Sequence, residues 1–195
     1  MIFVTVGSQE PFDRLIRAVD EWAGARARSD VFAQVGNSAI RPQHMEFKQF
    51  LEPAEFGRIM REASIIVAHA GMGSIISALE LGKQIVVLPR RASFRETRND
   101  HQVATAERFG AQGRILVAHE QKDLAEKLDY ALTLGCAKCI DTQASPRLLA
   151  TIRSFLDGSS CQLDPVGAVS AGTSAAAERS GFMEPAVTAP PRRSR

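Results

Sequence analysis

Short β-branched runs recur along this chain, with helix-spaced stretches between them. That alternation constrains the fold more than any other feature. The runs cover residues 2–6, 31–35, 65–68, 85–88 and 115–117, and they predict buried strands. A further short strand is expected at 47–51. Phe12, Leu15, Ile16 and Val19 mark one face of a first helix, and Phe56, Ile59 and Met60 mark a second, opened by Pro53. Ile75, Ile76, Ala78 and Leu79 fit a third, and Leu124, Leu128, Ala131 and Leu132 a fourth. Strands alternating with helices imply an α/β, Rossmann-like parallel sheet with helices on both faces. On such sheets ligands bind at the carboxyl ends of the strands, which directs attention to the strand-to-helix loops.

With 195 residues, 45% of them hydrophobic, the chain is long enough for one domain to bury its own core. Composition changes near Asp157. Residues 157–195 are dominated by Ala, Ser, Gly, Thr and Pro and end in an arginine-containing segment. They are expected to form a disordered tail, leaving 1–156 as the folded domain. A net charge of +2 supplies no basic excess for a nucleic-acid polymer. Cys136-x-x-Cys139 has no second pair to make a zinc site and reads as ordinary thiols in a reducing compartment. The first residues read as a strand without a basic leader, and the most apolar stretch, 64–88, is interrupted by His69, Glu80 and Lys83. The expectation is a cytoplasmic protein without a membrane span.

Three loops carry the candidate chemistry. The run Ile65-Ile66-Val67-Ala68-His69-Ala70-Gly71-Met72-Gly73-Ser74 passes from a strand through glycines into a helix. Free N–H groups and the dipole of a helix start favour an anion, and glycines let a ligand approach the backbone. Ser74 and His69 add side-chain donors. A tight turn with a capping serine accounts for the same residues. The run lacks the Gly-Lys-Ser/Thr of a P-loop and the third glycine of the dinucleotide fingerprint. Gly7-Ser8-Gln9 makes a second polar turn. The third loop holds Arg90, Arg91, Arg95 and Arg98, followed by Asn99-Asp100-His101-Gln102 at a helix start. It is either a binding loop or a solvated one.

The order of Val4-Thr5-Val6-Gly7-Ser8, Phe12 to Ile16, Gln34-Val35-Gly36, His69 to Ser74, Gly82-Lys83 and Asn99 to Gln102 resembles the nucleotide-sugar-binding C-terminal half of GT-B glycosyltransferases of the family 28 type. The likeness is strongest to the split-subunit branch, which includes the catalytic subunit of the dolichol-pathway N-acetylglucosaminyltransferase and bacterial exopolysaccharide glucuronosyltransferase subunits of the PssE kind. It covers residues 1–156. The resemblance implies that His69, Gly71, Met72, Gly73 and Ser74 hold the diphosphate of a UDP-sugar, and that Asn99, Asp100, His101 and Gln102 contact the donor sugar. Gly7 and Ser8 would face the cleft, and Phe50 and Leu51 would form part of the uracil pocket. Where single-chain relatives carry a ribose-binding Glu this chain has Ser77, with Glu80 a helical turn further on.

The implied reaction is an inverting transfer to a lipid-linked acceptor in exopolysaccharide synthesis. The UDP-sugar is the substrate, no cofactor is expected, and no Asp-x-Asp pair is present to hold a metal. A membrane-anchored partner subunit would bind the acceptor and recruit the chain to the inner face of the membrane. In full-length relatives the general base comes from the other domain; within this chain His101 is the candidate, while His44 and His119 read as ordinary surface or loop histidines. A glucuronate donor would suit a guanidinium fork from Arg90, Arg91, Arg95 or Arg98. The alternatives are a non-catalytic nucleotide-sugar-binding regulatory module and a flavodoxin-like protein for another nucleotide.

Overall fold

A computed structural model of the chain describes residues 1–137, 139–140 and 145–157. It divides into two units, Met1–Ala144 and Ser145–Arg195. In the first, six parallel strands form one sheet in the order β3-β2-β1-β4-β5-β6. The strands are β1 (Ile2–Thr5), β2 (Val31–Gln34), β3 (Glu46–Lys48), β4 (Ile65–His69), β5 (Gln84–Leu88) and β6 (Leu116–Val117). The helices are α1 (Asp13–Ala25), α2 (Pro53–Glu62), α3 (Met72–Glu80), α4 (His101–Ala111) and α5 (Leu124–Thr133). The doubly wound α/β reading holds.

Side-chain alternation explains the two layers. Ile2, Val4, Ile65, Val67, Val86 and Leu88 pack with Leu15, Ile16, Val19 and Trp22 of α1 and with Leu124, Leu128 and Ala131 of α5. Their neighbours Phe3, Ile66, Ala68, Ile85 and Val87 turn the other way, onto Ile59 and Met60 of α2, Ile75 and Leu79 of α3, and Ala106 of α4. A strand with period two thus serves two cores at once. Trp22 reaches the rim of its core and donates from Nε1 to Asp129 at 2.9 Å. A buried indole N–H requires such a partner.

The short strand expected at 47–51 lies instead at Glu46–Lys48, where Phe47 pairs with Ala33. The last ladder-like bond is Gly36 N–H to Gln49 carbonyl at 2.7 Å. The chain then leaves the sheet edge, carrying Phe50 and Leu51 over the strand ends.

The second unit contains α6 (Pro146–Leu156), a helix absent from the sequence reading. Ser145 accepts from Leu148 N–H at 3.2 Å and Pro146 opens the first turn. Apart from Asp157, the expected tail lies outside the described residues. Among the described residues, no helix is long and apolar enough to cross a membrane.

Candidate functional site

The strand order reverses direction between β1 and β4. Thr5 lies level with Ala68, and His69 with Leu88, so three loops leave the sheet at one height. This is the switch point at which α/β sheets open a crevice. Two cavities meet there. A polar lobe of about 330 Å³ is lined by Ser8, Glu10, His69, Arg90, Thr97, His101 and Gln102, among others. A less polar lobe of about 350 Å³ is lined by Thr5, Gln34, Phe50, Leu51, Phe56 and Ser77. Gly7, Ser8, Gly73 and Ser74 line both lobes and form the ridge between them.

The glycines around His69 and the β4–α3 turn have different reasons. A Cβ on Gly7 would lie 2.7 Å from Cε1 of His69, and one on Gly71 would run into the same ring. The two glycines sandwich the imidazole. Gly73 is open: a Cβ there would meet nothing within 4 Å outside its own stretch of helix, and its φ is not in the left-handed range. Neither packing nor backbone strain requires glycine at Gly73, and its bare face opens on the ridge between the lobes. No side chain caps α3, so the N–H groups of its first turn keep no intrahelical partner. The ridge is therefore a set of free donors beside a positive helix end. Burial, reinforced by the charge of Arg90, lowers the His69 pKa to about 4. His69 is neutral at physiological pH, and among the described residues its buried Nδ1 has no hydrogen-bond partner.

The floor of the second lobe is a closed network. Thr5 Oγ1 donates to Gln34 Oε1 at 2.6 Å, and Gly7 N–H donates to Thr5 Oγ1 at 3.2 Å. Gln34 Nε2 donates to the carbonyls of Gly7 at 3.0 Å and Gln49 at 3.4 Å. One buried amide thereby fixes both the β1 turn and the segment that delivers Phe50 and Leu51.

Several of the expected site residues lie elsewhere. Glu80 is exposed and lines neither lobe, so Ser77 is the α3 side chain that faces the second lobe. Met72 is 46% exposed and lines neither lobe. Asn99 and Asp100 are occupied within their own loop: Asp100 Oδ1 accepts from Ala92 N–H at 2.8 Å, and Asn99 Oδ1 accepts from His101 N–H at 3.3 Å. Of the four arginines, only Arg90 lines the polar lobe, and both its Nη atoms donate to main-chain carbonyls. Arg91 donates to the His119 carbonyl, Arg95 borders a separate cavity, and Arg98 is exposed outside both lobes. The expected fork for a sugar carboxylate is not assembled.

His101 and Gln102 do reach the polar lobe. Gln102 is buried and accepts from Arg90 N–H at 3.2 Å. Asn99 Oδ1 accepts from the His101 backbone N–H and also contacts His101 Nδ1, which leaves Nε2 as the ring nitrogen outside that contact.

Sequence reasoning missed Thr5, Gln34, Phe56 and Glu96. Gln34 had a usable signal, as a polar residue in an otherwise apolar strand one step from Val35-Gly36. Glu96 had none, because its partner Arg14 lies 82 residues away.

The profile of the glycosyltransferase family 28 C-terminal domain matches residues 1–145. The UDP-N-acetylglucosamine transferase subunit ALG13 of Mus musculus is 27% identical over 181 residues, covering 79% of this chain. The chain spans 15% of that relative's length. A solution structure of ALG13 aligns with a TM-score of 0.52 at 16% identity, covering 80% of this chain and 94% of that one. The glycotransferase of kitacinnamycin aligns with a TM-score of 0.52 at 17% identity, covering 81% of this chain and 40% of that one. These structural likenesses concern the fold.

Proposed function

Because the chain belongs to the glycosyltransferase family 28 C-terminal domains, we propose that it binds a UDP-sugar across the two lobes and serves as the donor half of a glycosyltransferase. The observation that carries this is the ridge, where free N–H donors of α3 and the bare face of Gly73 separate a lobe with aromatic walls from a polar one. Uracil lies against Phe50, Leu51 and Phe56, with its edge near the Thr5–Gln34 network. The diphosphate crosses Gly73 and Ser74, assisted by His69 and the Gly7–Ser8 turn. The sugar extends toward His101 and Gln102.

In the transfer step, an acceptor hydroxyl attacks the anomeric carbon from the face opposite UDP. The new C–O bond forms as the bond to the diphosphate breaks with its electron pair, inverting the centre. The hydroxyl proton passes to His101 Nε2. Charge growing on the leaving diphosphate falls on the helix start and the loop N–H groups, without a metal. The acceptor side belongs to a second, membrane-anchored subunit that presents a lipid-linked saccharide and holds this chain at the inner face of the membrane. The mouse relative is itself named as a subunit. Glucuronate, in exopolysaccharide synthesis, is the donor sugar to test first. This choice rests on the resemblance of the motifs and not on a guanidinium in the lobe.

The test is saturation-transfer NMR with UDP, NAD and FMN, followed by transfer assays with a membrane-anchored partner and UDP-glucuronate, UDP-glucose or UDP-N-acetylglucosamine. Selective saturation of the uracil ring, and transfer only with the partner, is the expected result. Equal binding of all three nucleotides would overturn the reading. Donor binding without transfer under any partner would favour a regulatory binding module.

A further inference from the structure

Two walls of the polar lobe come from distant parts of the chain, and one side chain joins them. Arg90 follows β5 and is 3% exposed. Its Nη1 donates to the carbonyls of Pro11 at 2.6 Å and Glu96 at 3.3 Å. Its Nη2 donates to those of Val6 at 2.8 Å and Glu10 at 2.7 Å. Three of these four acceptors belong to the β1–α1 connection, 79 to 84 residues earlier in the chain. The guanidinium lies over the Phe12 ring, 4.6 Å from its centroid, and the Arg90 backbone N–H holds Gln102 at the start of α4. From outside, Arg14 grips Glu96 through two bonds of 2.8 Å and adds a third to the Pro89 carbonyl.

We propose that Arg90 is a positioning residue for the donor site: with one planar fork it fixes both walls of the polar lobe, and it does not itself hold the ligand. The proposal rests on the UDP-sugar reading above. Loop carbonyls withdrawn from water need partners, and charge-assisted bonds satisfy them more strongly than neutral ones. Only the guanidinium has enough donors, in a flat array, to serve four carbonyls from one point. Lysine has three donors on a single atom and cannot. Walls fixed before binding avoid the entropy of ordering Ser8, Glu10 and Thr97 around the donor, and so raise affinity. The buried charge also faces His69 across the lobe, where it opposes protonation of the ring and favours an anion.

The experiment uses the full chain labelled at arginine nitrogens, with UDP as the probe. In the wild type, Arg90 is expected to give separate, slowly exchanging Nη–H signals, whereas Arg95 and Arg98 give averaged ones. Saturating UDP leaves the Arg90 signals in place. The Arg90→Lys variant binds UDP at least tenfold more weakly, and backbone order parameters at Ser8, Gln9 and Thr97 fall while those of β4 are kept. Averaged Arg90 signals in the wild type overturn the proposal without any variant needing to fold. So does a large UDP-induced shift, which would make Arg90 a direct ligand contact, or affinity within twofold in Arg90→Lys. If the wild type binds no UDP, the donor reading falls. In that event, separate Nη–H signals still support the clamp and averaged ones still overturn it.

Discussion

Two loops at the same edge of the sheet are built on opposite principles. The β4–α3 turn is short and sparingly polar, and it leaves its N–H donors unused beside Gly73. The β5–α4 loop is long and rich in arginine, yet much of its hydrogen-bonding capacity is engaged within the protein. Arg90, Glu96, Asn99 and Asp100 all bond to their own or the neighbouring loop. Polar composition is therefore a poor measure of readiness to bind. What counts is how many donors the fold leaves unpartnered at the cleft, and by that measure the sparer loop is the one open to a ligand and the richer one its frame.

The comparison can be broken from either side. Gly71→Ala is expected to have the largest effect, because its methyl group must displace the buried His69 ring. Overpacking of this kind costs about 1–3 kcal/mol, read as a lowered urea midpoint together with loss of UDP binding. An unchanged midpoint would show that the imidazole is not held as described.

A pH effect follows from the same ring. His69 titrates at about 4 when folded and near 6.5 when unfolded, so between those values the unfolded chain binds more protons. Stability is therefore complete above pH 6.5 and falls as pH drops toward 4. The loss due to His69 is about 2 kcal/mol by pH 5. Subtracting the urea-unfolding pH profile of His69→Asn from that of the wild type isolates this contribution. Parallel profiles for the two proteins would refute it.

The smallest effects are expected in the frame. Arg95→Ala and Arg98→Ala should each change stability by less than about 0.5 kcal/mol and leave UDP affinity unaltered. UDP-glucuronate and UDP-glucose should then turn over in unchanged ratio. A selective loss of the glucuronate donor in either variant would return the loop to the role expected from its composition.

The sheet was legible because its evidence is local. Alternating β-branched residues such as Ile65 to Ala68 carry their own period, and Gly71-Met72-Gly73-Ser74 announces a strand-to-helix turn by its residue types. The fate of the arginines was not legible. Whether Arg90 meets a ligand or four carbonyls depends on which loop the topology lays beside it, and three of those carbonyls lie 79 to 84 residues away. The shift of β3 to Glu46–Lys48 has a similar origin. A three-residue edge strand is held by its pairing with β2 rather than by an apolar pattern of its own. For α6 the signals were present in Ser145-Pro146 and in the spacing of Leu148, Leu149, Ile152, Phe155 and Leu156.

On the UDP-sugar reading, the bare face of Gly73 serves a ligand and not the fold. Gly73→Ala, followed by UDP titration calorimetry and thermal unfolding, decides it. A helical alanine should hold or raise stability, by up to about 1 kcal/mol, while its methyl group occupies the ridge and weakens UDP binding at least tenfold. Full UDP affinity in a stable Gly73→Ala protein would contradict the account.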